Sequence, residues 1–432
     1  MQHPGFTHIE SLGGIDAYRL DANGLTVLLC PQGVARVATI MITYQVGSRN
    51  ERQGETGATH FLEHMMFKGT DRFSKKSGKT IFNVLQARGA RVNATTWNDR
   101  TNYYEMLPTE HLALALEIEA DRMCGLSLDP AEVASEKTVI LNEFDRGENE
   151  PIRKLYHALW STAFEAHTYH HPTIGWRQDI ENVTPEGLRS FYDRFYWPGN
   201  ATLSIIGGFD APETMAAVRK HFESIPVGEP APVLAIREPE QRGERRTTIR
   251  MQGGNPAVLL GFKSPAATDP AVYPLDLAGM ILSHGRSSRL YTALVDEGLA
   301  TSVSAGASSF RDPGLFTVMA LLTPDADPTK VEHILHGEIE KLKDEPPSDD
   351  ELQRALAKLR AQTLYARDGS FSLASQLNEA IAAGDWKLLP RFLEAVEAVK
   401  PADIMAAIRA TCVRDRMTTA VYEPLNAEPA EA

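Results

Sequence analysis

Residues 60–64 read H-F-L-E-H, two imidazoles four residues apart with a carboxylate just before the second. On a helix, His60 and His64 leave the same face within reach of one cation, and Glu63, three residues after His60, stands beside the same point. The order H-x-x-E-H is the reverse of H-E-x-x-H, which occurs nowhere in the chain. Neutral imidazoles suit Zn2+, and a hydrolytic zinc site uses three protein ligands and leaves a fourth position for water. Zinc lowers the pKa of such a water to about 7, so a nearby carboxylate can take its proton during attack on a peptide carbonyl. The same five residues also suit the polar edge of an exposed amphipathic helix. The zinc reading therefore needs a third ligand.

A candidate lies in S-E-K-T-V-I-L-N-E-F, where Glu136 and Glu143 are seven residues apart. At about 100° per residue that spacing returns both carboxylates to one helix face. One of them can bind a metal while the other holds a ligand or an ordered water. Asp129-Pro130 opens the segment with an N-cap residue and a proline suited to the first helical position.

These side chains must be carried by elements with recognisable signatures. G-L-T-V-L-L-C (24–30), V-A-T-I-M-I-T-Y-Q-V (37–46) and A-T-L-S-I-I-G-G-F (201–209) have strand composition, as do A-V-L-L-G-F-K-S, L-F-T-V-M-A-L-L and M-T-T-A-V-Y-E in the second half. Helical periodicity fills the intervals, most clearly over residues 130–144 and 349–366. The expected class is α+β, with mostly antiparallel sheets packed against helices. Proline and charge concentrate over Pro226–Arg246, which reads as a linker between domains at 1–225 and 247–432. The two halves repeat the order strand, helix, long helix, which predicts a diverged duplication. Only the first copy has metal-binding residues; Asp276 and Ala278 stand in comparable places in the second.

The 432 residues suffice for two domains, and 43% hydrophobic with 23% charged residues is ordinary for a globular chain. A net charge of −13 argues against a nucleic-acid partner. It is compatible with a cationic or unstructured peptide substrate, or simply with solubility. Cys30, Cys124 and Cys412 are scattered and imply no disulfide framework, in keeping with a reducing compartment. No run of about 20 apolar residues offers a membrane span. The first residues have no basic-then-apolar signal pattern. The expected location is cytoplasmic, with the periplasm open should the chain be a processed form. His167, His170 and His171 sit in a loop bounded by Pro172 and Gly175 and are expected to be structural. Trp160 and Tyr156, near helical spacing, read as core. I-I-G-G-F lacks a following G-K-[ST], which argues against a phosphate loop.

Taken together, G-A-T-H-F-L-E-H-M-M-F-K-G-T, then G-A-R-V-N-A-T-T-W-N-D-R-T-N-Y-Y-E-M-L, then S-E-K-T-V-I-L-N-E-F closely resemble successive motifs of the insulinase/pitrilysin metallopeptidases. The branch with two-domain subunits, which includes mitochondrial processing peptidase, fits the length. The resemblance runs through H-H-P-T-I-G-W and weakens in the second half to S-H-G-R-S-S-R-L-Y-T-A-L-V-D-E-G-L-A and G-D-W. It implies that His60, His64 and Glu143 bind Zn2+, that Glu63 is the general base and that Glu136 supports the site. It also implies that Asn93 contacts substrate backbone and that the adjoining strand edge accepts an extended peptide as an added strand. The plain alternative for Asn93 is a turn asparagine after Gly89. Two homologous domains would enclose a cavity, and the activity would be zinc-dependent endopeptidase action on peptides or unfolded segments.

One departure matters. Many active members carry an arginine and, a turn or two later, a tyrosine in the second domain; here Val295 and Thr301 stand roughly in those places. Arg289 and Tyr291 lie nearby but belong to S-S-R-L-Y, which has its own place in the pattern. The resemblance thus implies the zinc-bearing half of a heterodimer whose homologous partner supplies the pair. The alternatives are a non-catalytic structural subunit and a self-sufficient homodimeric oligopeptidase.

Overall fold

The computed structural model describes residues 3–33, 36–365 and 367–425, and among these the named strands form two sheets. The first contains β1 (Phe6–Leu12), β2 (Ile15–Leu20), β3 (Thr26–Pro31), β4 (Val37–Tyr44), β5 (Arg91–Thr96), β6 (Thr101–Pro108) and β7 (Ala201–Gly207), in the order β1-β2-β3-β7-β4-β6-β5. Its pairs are antiparallel except β3 with β7. The second contains β8 (Arg245–Gln252), β9 (Ala257–Lys263), β10 (Ala300–Ala307), β11 (Leu315–Leu322) and β12 (Met417–Leu425), in the order β10-β11-β9-β12-β8. Here the parallel pair is β8 with β12. Read from β3 and from β8, the two sheets have the same sequence of parallel and antiparallel neighbours. The α+β class is as expected, and the repeated topology is what a duplication produces.

Strands buried on both faces lose the alternation of a half-exposed sheet and read as continuous apolar runs. Ile40, Ile42 and Tyr44 of β4 enter one core with helix α1 (Ala58–Lys68). Met41 points to the opposite face, where it meets Leu373, Ala374, Leu377 and Ile381 of the helix Ser370–Ala383. In the second sheet, Val258, Leu260 and Phe262 of β9 face one core. Ala257 and Leu259 face another with Leu155, Leu159 and Ala163 of the helix Pro151–Ala163.

The compact units are therefore not the two contiguous segments on either side of 226–246. One comprises Met1–Phe144, Pro172–Ala235 and Leu364–Pro390; the other comprises Asp145–His171, Ile236–Thr363 and Arg391–Ala432. Each half of the sequence sends one helix to the other half's sheet, because each sheet has a second apolar face to cover. Between residues 223 and 244 the backbone forms no helix or strand, and Arg245 and Arg246 of the expected linker already belong to β8. No helix among the described residues is long and apolar enough to cross a membrane.

The histidine-rich loop is held by hydrogen bonds within it and to Asp312. His167 Nε2 lies 3.0 Å from Asp312 Oδ2 while its Nδ1 accepts from the Tyr169 N–H, and His170 Nδ1 lies 2.9 Å from the His167 carbonyl. Trp160 stacks on Phe164 with ring centroids 5.3 Å apart.

Candidate metal centre

α1 has two interleaved stripes. Ala58, Phe61, Leu62, Met65 and Met66, at the i, i+3, i+4 spacing, are buried in the core. His60, Glu63, His64 and Phe67 make the adjacent half-buried stripe. The helix begins at Gly57, whose φ of 84° lies in the left-handed region, and a Cβ there would stand 2.4 Å from the Ile174 carbonyl oxygen. Its first turn is held from outside the helix. Glu51, 1% exposed, accepts the Gly57 N–H at 2.9 Å and the Thr59 N–H at 2.8 Å. The Thr56 hydroxyl donates to Asp179 at 2.6 Å.

Opposite α1 runs the helix α2 (Pro130–Glu148), which starts where the Asp-Pro signal predicts. Asp129 Oδ1 caps it by accepting the Ala131 N–H at 2.9 Å. Glu136 and Glu143 both face α1. The Glu143 carboxylate lies 3.8 Å from His60 Nε2 and 3.9 Å from His64 Nε2, and one ligand atom from each of the three residues falls within 4.8 Å of the others. Donors around a tetrahedral zinc stand roughly 3.4 Å apart given bond lengths near 2 Å. Two imidazoles and one carboxylate also form a recognised catalytic donor set. The residues present fit zinc. Among the described residues this is the one such group of histidine, cysteine and acidic side chains.

Glu136 is the fourth participant. Its Oε1 lies 2.8 Å from His64 Nδ1, which turns His64 Nε2 toward Glu143, and its Oε2 lies 2.5 Å from Lys68 Nζ. The His64 hydrogen bond, with Lys68 behind it, holds the Glu136 carboxyl down to about 2 against the opposing effect of burial. For His64, burial disfavours the imidazolium. The Glu136 bond and the carboxylates of Glu136, Glu63 and Glu143 outweigh that, and its pKa lies above the ordinary value. Glu63 accepts a hydrogen bond from the Thr96 hydroxyl of β5. Burial raises its pKa despite that bond.

Asn93 lies on β5, opposite Tyr104 of β6, where the first sheet ends. It is exposed and lines a cleft of about 660 Å³ together with Glu63, His64, Phe67, Lys68 and Glu136. It is thus a strand residue and not part of a turn. In the second unit, Arg289 is committed to a two-point ion pair with Glu351, at 2.7 and 3.1 Å. Val295 ends the short helical turn Tyr291–Val295, and Thr301 lies in β10. The helix Val272–Ser283, between β9 and β10 as α1 lies between β4 and β5, contains no histidine. Its Asp276 is pushed up to about 7 by burial.

Lys68, Thr96 and Glu51 escaped the sequence reading. Lys68 was legible, since it extends the His60, His64 spacing by another four residues. The other two depend on the β5–β6 hairpin and on the turn before α1, which local periodicity does not reveal.

The profile described as insulinase (peptidase family M16) matches residues 26–176, and that described as peptidase M16 inactive domain matches residues 182–359, outside the histidine motif. The chain is 29% identical to a Helicobacter pylori protein named zinc protease PqqE, over 93% of this chain and 91% of that one. It is 26% identical to the beta subunit of mitochondrial-processing peptidase from Lentinula edodes, over 92% and 88%. The crystal structure of a protease from Helicobacter pylori superposes with a TM-score of 0.89 at 27% identity, covering 95% of this chain and 99% of the other. With one family profile on the segment that contains the histidine motif and its companion on the segment that lacks it, the chain belongs to peptidase family M16, the insulinase family.

Proposed function

We propose that the chain is a zinc-dependent endopeptidase acting on peptides or unfolded protein segments. The convergence of His60, His64 and Glu143, with Glu63 on the same helical stripe, carries this reading. His60, His64 and Glu143 would hold the ion. When bound, zinc supplies Lewis acidity toward a carbonyl oxygen and lowers the pKa of a water molecule. Glu63 acts as general base; the Thr96 hydroxyl fixes its orientation, and its raised pKa makes it a better proton acceptor than an ordinary carboxylate. Glu136 holds the His64 ring by Nδ1 so that Nε2 is the ligand atom. β5 receives an extended substrate as an added strand, with Asn93 contacting its backbone.

The working unit is a heterodimer in which this chain bears the zinc and a homologous subunit supplies an arginine and tyrosine. Two observations support it: Arg289 is engaged by Glu351, and one relative is by name the beta subunit of a processing peptidase. A self-sufficient homodimer is the second reading, favoured by relatives named simply as proteases. The test combines zinc content of wild type and Glu143→Gln with peptide-library cleavage by wild type and Glu63→Gln. Zinc in wild type but not in Glu143→Gln, with cleavage abolished in Glu63→Gln, is expected. Wild type that retains no zinc overturns the catalytic reading, and full activity of the purified chain alone overturns the heterodimer.

A further inference from the structure

We propose that Glu51 is a positioning residue for the metal centre, one carboxylate that sets the first turn of α1 and links it to the hairpin carrying Thr96 and Asn93. The inference rests on the zinc reading above.

The first N–H groups of a helix have no partner within it and are usually satisfied by an N-cap side chain. At α1 the cap position is Gly57, which has none. The two oxygens of Glu51 take the Gly57 and Thr59 N–H groups, and the Glu55 carbonyl takes that of Ala58 at 3.2 Å. Two of these three donors thus depend on one side chain, which lies six residues before the cap position and is buried, and burial pushes its carboxyl up to about 8 despite these bonds. His60 is the next residue.

The other end of the same short turn grips the hairpin. The N–H groups of Ser48 and Arg49 donate to the carbonyls of Trp97 and Asn98 at 3.2 and 2.8 Å, and the Arg49 guanidinium lies 3.7 Å from Asp99. A Cβ on Gly47 would stand 2.2 Å from the Trp97 carbonyl oxygen, so the backbones meet with no room for a side chain. This hairpin joins β5 to β6, and β5 contributes Thr96 to Glu63. Residues 47–51 therefore tie the stripe of His60, Glu63 and His64 to the strand that orients Glu63 and faces the cleft. Glu51 touches no reacting group; it acts through the backbone of α1.

The test uses the full chain and the variants E51Q and E51D, with zinc affinity read by competition against a chromophoric chelator. E51Q keeps one acceptor oxygen and turns an NH2 toward the second backbone N–H. Its zinc affinity is expected to fall by about tenfold or more, the range of supporting groups around metal ligands. E51D, which keeps the two-oxygen carboxyl group on a shorter arm, is expected to fall between wild type and E51Q. Hydrogen exchange at the Gly57 and Thr59 amides should accelerate in E51Q, and kcat should fall with KM unchanged. Zinc affinity within twofold of wild type in E51Q, or in E51D should E51Q not fold, overturns the proposal. Equal destabilisation of the metal-free and metal-loaded forms also overturns it, because that assigns Glu51 a purely structural role. Wild type that binds no zinc defeats the functional reading instead. In that case unchanged exchange at Gly57 and Thr59 in E51Q overturns the clamp, and accelerated exchange upholds it.

Discussion

His64 and Lys68, one helical turn apart on α1, share a single carboxylate: Glu136 meets the ring at 2.8 Å and the ammonium at 2.5 Å. The His64 imidazole is thereby oriented by a group that is itself held by the helix bearing that imidazole. Lys68→Met frees one oxygen of Glu136 to swing and is expected to weaken zinc binding by about tenfold. Lys68→Arg, which preserves the ion pair, should stay close to wild type. Chelator competition at pH 7 checks both.

Glu143 lies 3.8 and 3.9 Å from the two imidazoles. Glu143→Gln replaces an anionic ligand by a neutral amide, and zinc retained after dialysis should fall from near one equivalent per chain to a small fraction. A ligand that binds only the folded state raises its stability, by an amount that grows with the logarithm of its concentration over Kd. Added zinc should therefore raise the Tm of wild type and leave that of Glu143→Gln unmoved, which differential scanning fluorimetry measures.

The raised pKa of His64 sets a pH dependence for the metal-free chain. A folded pKa above the unfolded value near 6.5 means that the pairing with Glu136 stabilises the fold fully below that value. This contribution is lost as pH rises through the folded pKa. Zinc needs the neutral ring, so metal affinity runs the other way and should fall as pH drops below that same folded pKa. Denaturant melts without zinc and zinc titrations across pH 5–9 should have opposite slopes.

Glu351 behaves as an acid latch in the second unit, since its hydrogen bond to Arg289 holds its carboxyl down to about 2. Its contribution to stability is complete above the unfolded carboxylate pKa and disappears as pH falls through about 2. Arg289→Ala should remove about 2 kcal/mol at pH 7 and much less at pH 2.5. Urea melts at the two pH values read the difference.

The exchanged helices predict which sheet each substitution disturbs. Leu159 is fully buried in the core of the second sheet although it precedes the linker, and Leu377 is fully buried against the first sheet although it follows it. Each leucine-to-alanine change should cost about 2–5 kcal/mol. Hydrogen exchange should report Leu159→Ala in β9 and β12, and Leu377→Ala in β4 and β7.

Short-range periodicity carried most of what the sequence revealed. His60, Glu63 and His64 share a stripe because 3.6 residues make a turn, and Glu136 and Glu143 share a face for the same reason. The Asp129-Pro130 start of α2 was equally local, as were the buried strands and the irregular stretch before β8. Lys68 obeyed the same spacing and needed only one more step along α1.

Other features depend on segments far apart in sequence meeting in space. No local pattern states that α2 lies against the polar stripe of α1 or that Thr96 reaches Glu63. Nor does one state that the helices Pro151–Ala163 and Ser370–Ala383 cover each other's sheets. An apolar helix face is compatible with any apolar sheet face of similar shape. Burial is non-directional, so the choice of partner belongs to the packed tertiary structure. Residue types and spacing determined which side chains were equipped to bind a metal; only the folding of α1, α2 and the β5–β6 hairpin around a shared core decided that they converge.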